Sequence, residues 1–432
     1  MIDSTMHLLV AALAFVSDNT QTTARAELRR RADWGFRLGP TTDSSAFEIK
    51  RVSGGSAAAA AGLRVGDRVI EINGQRPKPG VNPLRMLRGG DTLRFALQGK
   101  SEVTFTAPAM PLEKIPGCDV SYGSVETPAG YRVRTVLTRP QAAAGNLPVL
   151  VFLPWLSCDA VENPGTGDGW MQMLHGVAAH TGWALYRVEK PGVGDSEGRP
   201  CSQNDLETDL AAFRAALARV RTLAGIDTSR IVIFGGSIGG ALAPILAAET
   251  KAAGVIATGG FSRTWYEHLL EIERARLALE GTAPAEINRQ MKGYAAFYDL
   301  FLHEKLTPAQ VLARRPDLES LWHDEPDGQY GRPAAYYHQV EALNVEEAWS
   351  KIDVPVLVLH GEYDWIMSAN EAEHAVDVVN AHAPGRATLA ILRQTDHHFG
   401  VYATPVDAYR EHGGHFGDEV VTRIADWLRT HF

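Results

Sequence analysis

Cysteine is scarce in this chain, with only Cys118, Cys158 and Cys201 among 432 residues. Three thiols are too few for a disulfide-built scaffold, and none falls into the C-x-x-C spacing of a zinc site. Runs of one charge are missing too. A formal net charge of −9 with no Lys/Arg-rich stretch excludes the basic footprint of nucleic-acid binding and gives no attraction to an anionic membrane. No transmembrane span is read. Leu8–Val16 (LLVAALAFV) is far shorter than the roughly 20 apolar residues that cross a bilayer. It has signal-peptide length, and Ala24-Arg25-Ala26 fits a cleavage site. Against that, no Lys or Arg precedes the run and Asp3 has the wrong sign, which suits an amphipathic helix docked on the body. The balance favours a periplasmic or secreted protein over a cytoplasmic one. Repeats are absent, and low complexity is confined to Ala57–Ala61. What remains is the composition of a globular protein, 45% hydrophobic and 22% charged, long enough for two or three domains.

After an N-terminal segment, 1–32, residues 33–108 read as a small β-rich unit. Trp34–Leu38 and Phe47–Val52 are candidate strands, followed by a short Ala helix stopped at Gly62. Val69–Ile72 is a strand running into Asn73-Gly74, a strong tight-turn signal. Leu93–Leu97 and Val103–Ala107 add two strands, and Asn82–Leu87 is a short second helix containing Pro83. The order, and the stretch GSAAAAAGLRVGDRVIEING above all, resembles a bacterial PDZ domain. The resemblance implies a loop, Trp34, Gly35 and Phe36, whose amides hold the carboxylate of a peptide or protein C-terminus, with the peptide added as a strand beside it. The short second helix is a departure, since it should form the other wall of the groove. A purely structural module is the competing reading.

Residues 109–116 are a Pro-rich linker. Beyond it, strands alternate with helices. Val120–Glu126 and Tyr131–Thr138 pair around Ala129-Gly130, and Val149–Leu153, Ala184–Val188, Ile231–Phe234, Gly254–Thr258, Val354–Leu359 and Thr388–Leu392 follow. Helical patterns cover Asp205–Leu223, Ile238–Lys251 and Asp418–His431. This predicts a doubly wound, mostly parallel α/β sheet over 117–432. Residues 262–350, with helix-like Tyr266–Leu279 and Pro284–Leu302, interrupt the rhythm where an insertion overhangs the C-terminal strand ends, the ligand edge of such sheets. A cap is expected there.

The central chemical signal is Gly235-Gly236-Ser237-Ile238-Gly239, directly after a strand and directly before an apolar helix. In that frame G-x-S-x-G is a nucleophile elbow, in which a sharp turn lifts the serine hydroxyl to a helix N-terminus. Serine needs a base, and the base an orienting acid. The α/β-hydrolases, which the region from about 116 to the end resembles, order these Ser, Asp, His. By that order Asp364 (HGEYD) is the acid, with Glu362 lying too near the strand end. His397 (TDHHF) is the base, and the adjacent His398 is second choice. His412 and His415 are read as surface or loop-packing residues, and no spacing matches a metal motif.

The same resemblance implies an oxyanion hole from the Ile238 amide and one amide of the loop after Val149–Leu153. Pro154-Trp155 stands there in place of the commoner His-Gly. Leu156 is the favoured donor and Trp155 the alternative, because proline has no N–H. Glu189–Gly198 (EKPGVGDSEG) is similar to the family's D-x-R-G-x-G-x-S-x-G loop, and GYRVRTVLTRP with it is similar to prolyl-oligopeptidase-type hydrolases and related esterases. In that topology the loops carrying Cys158 and Cys201 leave one edge of neighbouring strands, so a disulfide bracing the pocket is expected, in keeping with export. The implied reaction is hydrolysis of a carboxylic ester of a small acyl substrate through an acyl-enzyme on Ser237, without cofactor. The alternatives are a serine peptidase acting on short peptides and a non-enzymatic PDZ-type binding protein on an inactive hydrolase fold.

Overall fold

The computed structural model describes residues 27–41, 46–77, 84–143, 145–162 and 168–432. Leu8–Val16 and Ala24-Arg25-Ala26 lie outside them. Strands β1 (Phe36–Pro40), β2 (Phe47–Val52), β3 (Arg68–Ile72), β4 (Thr92–Leu97) and β5 (Val103–Thr106) form an antiparallel sheet in sequential order. Period-2 alternation turns Leu93, Phe95 and Leu97 of β4 inward. Phe95 meets Phe36 edge-on at 5.3 Å and stacks on Phe105 at 6.0 Å. The Ala57–Ala60 helix is capped by Ser56, whose hydroxyl accepts from the Ala59 amide.

Asn73 and Gly74 both take positive φ, 51° and 77°, and Ile72 and Gln75 exchange hydrogen bonds across them. This is the expected tight turn, but it does not link two sheet strands: β4, the partner of β3, begins only at Thr92. The helix expected over Asn82–Leu87 lies partly outside the described residues. Its described part, Leu84–Leu87, is a turn closed by the Leu87 amide on the Leu84 carbonyl, 3.0 Å. Pro83 disfavours helical backbone in the residue before it, which weighs against a helix beginning at Asn82.

The second sheet contains β6 (Cys118–Glu126), β7 (Arg132–Pro140), β8 (Leu147–Leu153), β9 (Ala184–Val188), β10 (Ile226–Gly236) and β11 (Gly254–Thr258). A short hairpin, β12 (Gly328–Gln329) and β13 (Arg332–Pro333), precedes its last two strands, β14 (Val356–Gly361) and β15 (Ala387–Leu392). The eight strands run in the order β15-β14-β11-β10-β8-β9-β7-β6, antiparallel only at the β6–β7 and β7–β9 pairings. β8, β9, β11 and β14 are buried along their whole length, as strands covered by helices on both faces must be. Strand order reverses beside β8, so the loops after β8, β9 and β10 open onto one crevice.

Two of the longer helices lie outside the expected set. Gly169–His180 buries Trp170, Met171, Met173, Leu174, Val177 and Ala178, a face at i, i+3, i+4 and i+7 spacing that the sequence does carry. Ala369–His382 buries only Glu371, Ala372, Ala375 and Val379. Pro284–Tyr298 ends earlier than expected and continues through a wider π turn, Asp299–His303.

The two sheets meet through a polar seam. Arg30 grips both oxygens of Glu162 and reaches Asp195 at 2.6 Å. The Arg31 amide donates to the other Asp195 oxygen at 2.7 Å, and Arg88 donates to the Ser196 carbonyl at 2.9 Å.

Candidate active site

Ser237 follows β10 with φ 55° and ψ −128°, a conformation costing about 1–3 kcal/mol in a non-glycine residue. Its neighbours explain how it is held. The Ser237 amide donates to the Thr258 carbonyl of β11 at 2.8 Å, and its carbonyl accepts from the Gly240 amide at 2.7 Å. A Cβ on Gly239 would sit 2.2 Å from the Leu153 carbonyl oxygen, so only glycine lets the helix Ile238–Thr250 start this close to β8. Ser237 stands at the N-cap, yet its hydroxyl makes no capping bond. Ile238 is the first residue of that helix, where amides lack intrahelical acceptors.

Asp364 sits in the turn after β14. Its Oδ1 accepts from the amides of Ile366 and Met367, at 3.0 and 2.9 Å. Its Oδ2 lies 2.8 Å from His397 Nδ1. Burial alone would raise the Asp364 carboxyl, but the charge and hydrogen bond of His397 outweigh it and hold the group below the usual carboxylate range. Burial likewise pushes His397 down, and Asp364 overrides it, leaving the imidazole above an ordinary histidine. With the carboxylate ionised, Nδ1 donates and Nε2 is left as the basic nitrogen. Trp170 packs edge-on against the ring at 5.9 Å. On its far side Gly259, at φ 59°, would place a Cβ 2.6 Å from His397 Cε1. Gly259 is thus required for His397 to seat, and sequence reading passed over it; the Gly259-Gly260 pair directly after β11 was the available signal.

The competing residues separate. His398 is half-exposed and turned away from Asp364 toward Asp396. Glu362 is occupied by Arg393 and the Gln394 amide. His412 and His415 are both exposed, in line with their reading as surface or loop-packing residues, and His415 also lines the cavity described next.

Ser237 and His397 line one cavity of about 1020 Å³. Trp155, Leu156 and Trp170 form one wall. The helices Trp265–Leu279 and Pro284–Tyr298 contribute Trp265, His268, Ile272, Tyr294 and Tyr298 to another. His268 was missed in the sequence. It is fully buried, its Nδ1 has no partner, and burial pushes it down to about 4, so it is a neutral imidazole.

The loop after β8 is held from behind. Cys158 and Cys201 are joined in a disulfide. Lys190, 1% exposed, donates to the carbonyls of Trp155, Leu156 and Ser157. Burial lowers its ammonium to about 7 and raises the adjacent Glu189 carboxyl to about 8. In the first sheet, the Gly35 amide is taken by the Asp33 side chain at 3.0 Å and Phe36 is core. Of the three residues expected to offer amides to a peptide carboxylate, Gly35 is therefore already satisfied.

Residues 168–399, more than half of the chain, match the family described as serine aminopeptidase, S33. The chain belongs to that family. It is an α/β-hydrolase with an N-terminal PDZ domain, which is matched over residues 23–81. An 86-residue stretch is 42% identical to the quorum-quenching protein AidA of Acinetobacter baumannii (strain MDR-ZJ06), covering 19% of this chain and 28% of that relative's length. Among solved structures, an esterase of Pyrococcus furiosus is similar at 13% identity and TM-score 0.45, over 75% of this chain and 96% of its own. Est1E of Butyrivibrio proteoclasticus is similar at 15% identity and TM-score 0.43, over 71% and 99%. DcsB in complex with its substrate analogue is similar at 14% identity and TM-score 0.46, over 73% and 100%.

Proposed function

We propose that the chain is a serine hydrolase that cleaves a carboxylic ester. Ser237 Oγ attacks the carbonyl carbon, His397 Nε2 takes its proton, and the tetrahedral oxyanion is received by the amides of Ile238 and Leu156. The intermediate collapses to an acyl-enzyme as His397 returns the proton to the leaving alcohol. Water repeats the sequence, and Asp364 keeps the imidazole in the useful tautomer throughout. The observation that carries this reading is the strained Ser237 at a helix N-terminus, sharing its cavity with a histidine bonded to a buried carboxylate. We further propose that 262–350 acts as the cap over this site, within a catalytic domain spanning 117–432, and that the PDZ domain, over 33–108, takes a peptide C-terminus.

Ester chemistry is favoured over aminopeptidase chemistry by the aromatic lining of the cavity, Trp155, Trp170, Trp265, Tyr294, Tyr298 and Trp322. Of the acids at its wall, Glu273 is engaged by Arg276 and the Tyr298 hydroxyl, and Asp396 by the amides of His398 and Gly400. The peptidase reading is kept because the family description names one. Labelling with a fluorophosphonate should modify wild type and spare Ser237→Ala, and equal labelling of both would overturn the nucleophile. p-Nitrophenyl esters should turn over faster than aminoacyl-anilides, and the reverse order would select the peptidase. The name of the Acinetobacter relative, a quorum-quenching protein, adds quorum-sensing signal molecules to the panel.

A further inference from the structure

Lys190 poses a physical problem that the chemistry above does not use. An ammonium buried this deeply costs several kcal/mol unless it is paired. Among the described residues no carboxylate lies within 4.0 Å of it, and its partners are three successive backbone carbonyls, Ser157 O nearest, then Trp155 O at 2.7 Å and Leu156 O at 3.4 Å. A second buried cation joins it. Arg332, on β13, donates Nε to the Leu156 carbonyl at 3.2 Å and Nη1 to the Cys201 carbonyl at 2.7 Å, while Nη2 pairs with buried Asp209.

These bonds fix the direction of the peptide planes. In a trans peptide the carbonyl of one residue and the N–H of the next point in opposite directions. Trp155, Leu156 and Ser157 line the cavity that contains Ser237, whereas Lys190 and Arg332 do not. The loop thus lies between the two cations and the cavity. Carbonyls drawn back onto the cations turn the following amides forward, and of these the Leu156 N–H, set by the Trp155 carbonyl, stands nearest the Pro154 end of the loop. Among the described residues the Leu156 amide has no acceptor. The loop also abuts the elbow, since a Cβ on Gly239 would lie 3.0 Å from the Pro154 carbonyl. A positive charge behind the planes polarises them in the sense that strengthens each forward N–H.

We infer that Lys190 and Arg332 are positioning residues: Lys190 draws back the Trp155 carbonyl and so aims the Leu156 amide at the oxyanion, and Arg332, on the Leu156 carbonyl, fixes the plane next to it so that the aim holds. This rests on the acyl-enzyme reading. The experiment compares wild type, Lys190→Met, Lys190→Gln and Arg332→Lys, each checked for folding by thermal melting. Four readouts are taken: kcat and KM on a p-nitrophenyl ester, the inhibition constant of a matching trifluoromethyl ketone, which adds to the serine and carries a full oxyanion, and that of the corresponding alcohol, which cannot. Loss of a whole oxyanion donor costs roughly 100–1,000-fold. Misaiming one should cost Lys190→Met at least about tenfold in kcat and in ketone affinity together, with KM and alcohol affinity unmoved. Lys190→Gln, whose amide still donates, should recover part of both. If Lys190→Met does not fold, Arg332→Lys, which keeps a charge for Asp209 but shortens the reach to Leu156, should show the same split. Unchanged kcat and ketone affinity in the folded variants, or a parallel loss of alcohol affinity, overturns the clamp alone. A wild type that never forms the ketone adduct and turns over no ester overturns the acyl-enzyme reading as well.

Discussion

On the acid–base side of Ser237, each group is set by its own turn. Asp364 is fixed by amides two and three residues further on, and Asp396 ties down the His397 turn through the amides of His398 and Gly400. On the other side, the 155–158 loop is held by partners far along the chain. Lys190 is 35 residues from Trp155, Arg332 is 176 from Leu156, and Cys201 is 43 from Cys158. Turns that hold themselves keep their geometry when the surroundings change. A loop held mainly by distant groups is as well placed as the packing of β9, the β12–β13 hairpin and the Leu206–Val220 helix together. The two sides should therefore fail differently. Damage to the first should remove chemistry and leave the fold intact, and damage to the second should affect both.

The sharpest separation is expected from Asp364→Asn. It keeps the shape but holds His397 in the wrong tautomer, and in the Ser-His-Asp template that costs kcat about 10⁴-fold. Thermal stability should change little by comparison. The same pair sets the pH profile. The base acts only when neutral, so kcat/KM falls as pH drops through the His397 pKa. Asp364 holds that pKa above the ordinary value of 6.5, so the acid limb of wild type should lie above pH 6.5. In Asp364→Asn the residual activity should have its limb at lower pH, because burial is then opposed only by the smaller effect of the Asp396 charge. A limb that stays in place would mean that Asp364 does not govern the base.

This contrast also explains what the sequence disclosed. The Ser237 elbow and the Asp364–His397 contact were legible because these residues lie in the turns that follow β10, β14 and β15, each within a short motif. The PDZ strands were legible from alternation and turn residues. Lys190, Arg332 and His268 were not. Lys190 sits in a motif loop as an apparent deviation, and nothing local tells a buried lysine from a solvated one. Arg332 lies in an insertion with no strand-and-helix rhythm, and its partners Leu156, Cys201 and Asp209 are brought together only by the fold. The Gly169–His180 helix did carry its period, with Trp170, Met173, Leu174 and Val177 at i, i+3, i+4 and i+7, so nothing physical hid it.

An intermediate effect is expected from removing the disulfide. Closing a loop of this separation is worth up to about 4 kcal/mol by chain entropy. Cys158→Ser combined with Cys201→Ser should lower the denaturant midpoint accordingly and reduce kcat more than KM, because Cys158 ends the loop that carries the Leu156 amide. Treating wild type with reductant should reproduce both changes. A loss of stability with kcat preserved would mean that Lys190 and Arg332 hold the loop unaided, and would blunt the contrast between the two sides.

The smallest effect tests how far the distantly held side extends. Behind Lys190 lies Glu189, whose Oε1 accepts from the Val161 amide. Next to Val161 is Glu162, held by Arg30 of the N-terminal segment, which also reaches Asp195 in the Glu189–Gly198 loop. Arg30→Ala strips Glu162 of its close partner and leaves Arg31 at 4.0 Å, whereas Asp195 keeps Arg134 at 3.0 Å. Removing one member of so buried a pair costs about 3 kcal/mol. The loss should appear as faster amide exchange over 27–32 and a lower unfolding midpoint. Catalysis should be spared, because Glu189 and Lys190 are still anchored by the Val161 amide and the loop carbonyls. A fall in kcat matching that of Lys190→Met, with KM unmoved, would carry the distantly held side through Glu189 to the PDZ domain, and peptide occupancy of that domain would then be expected to set the rate at Ser237.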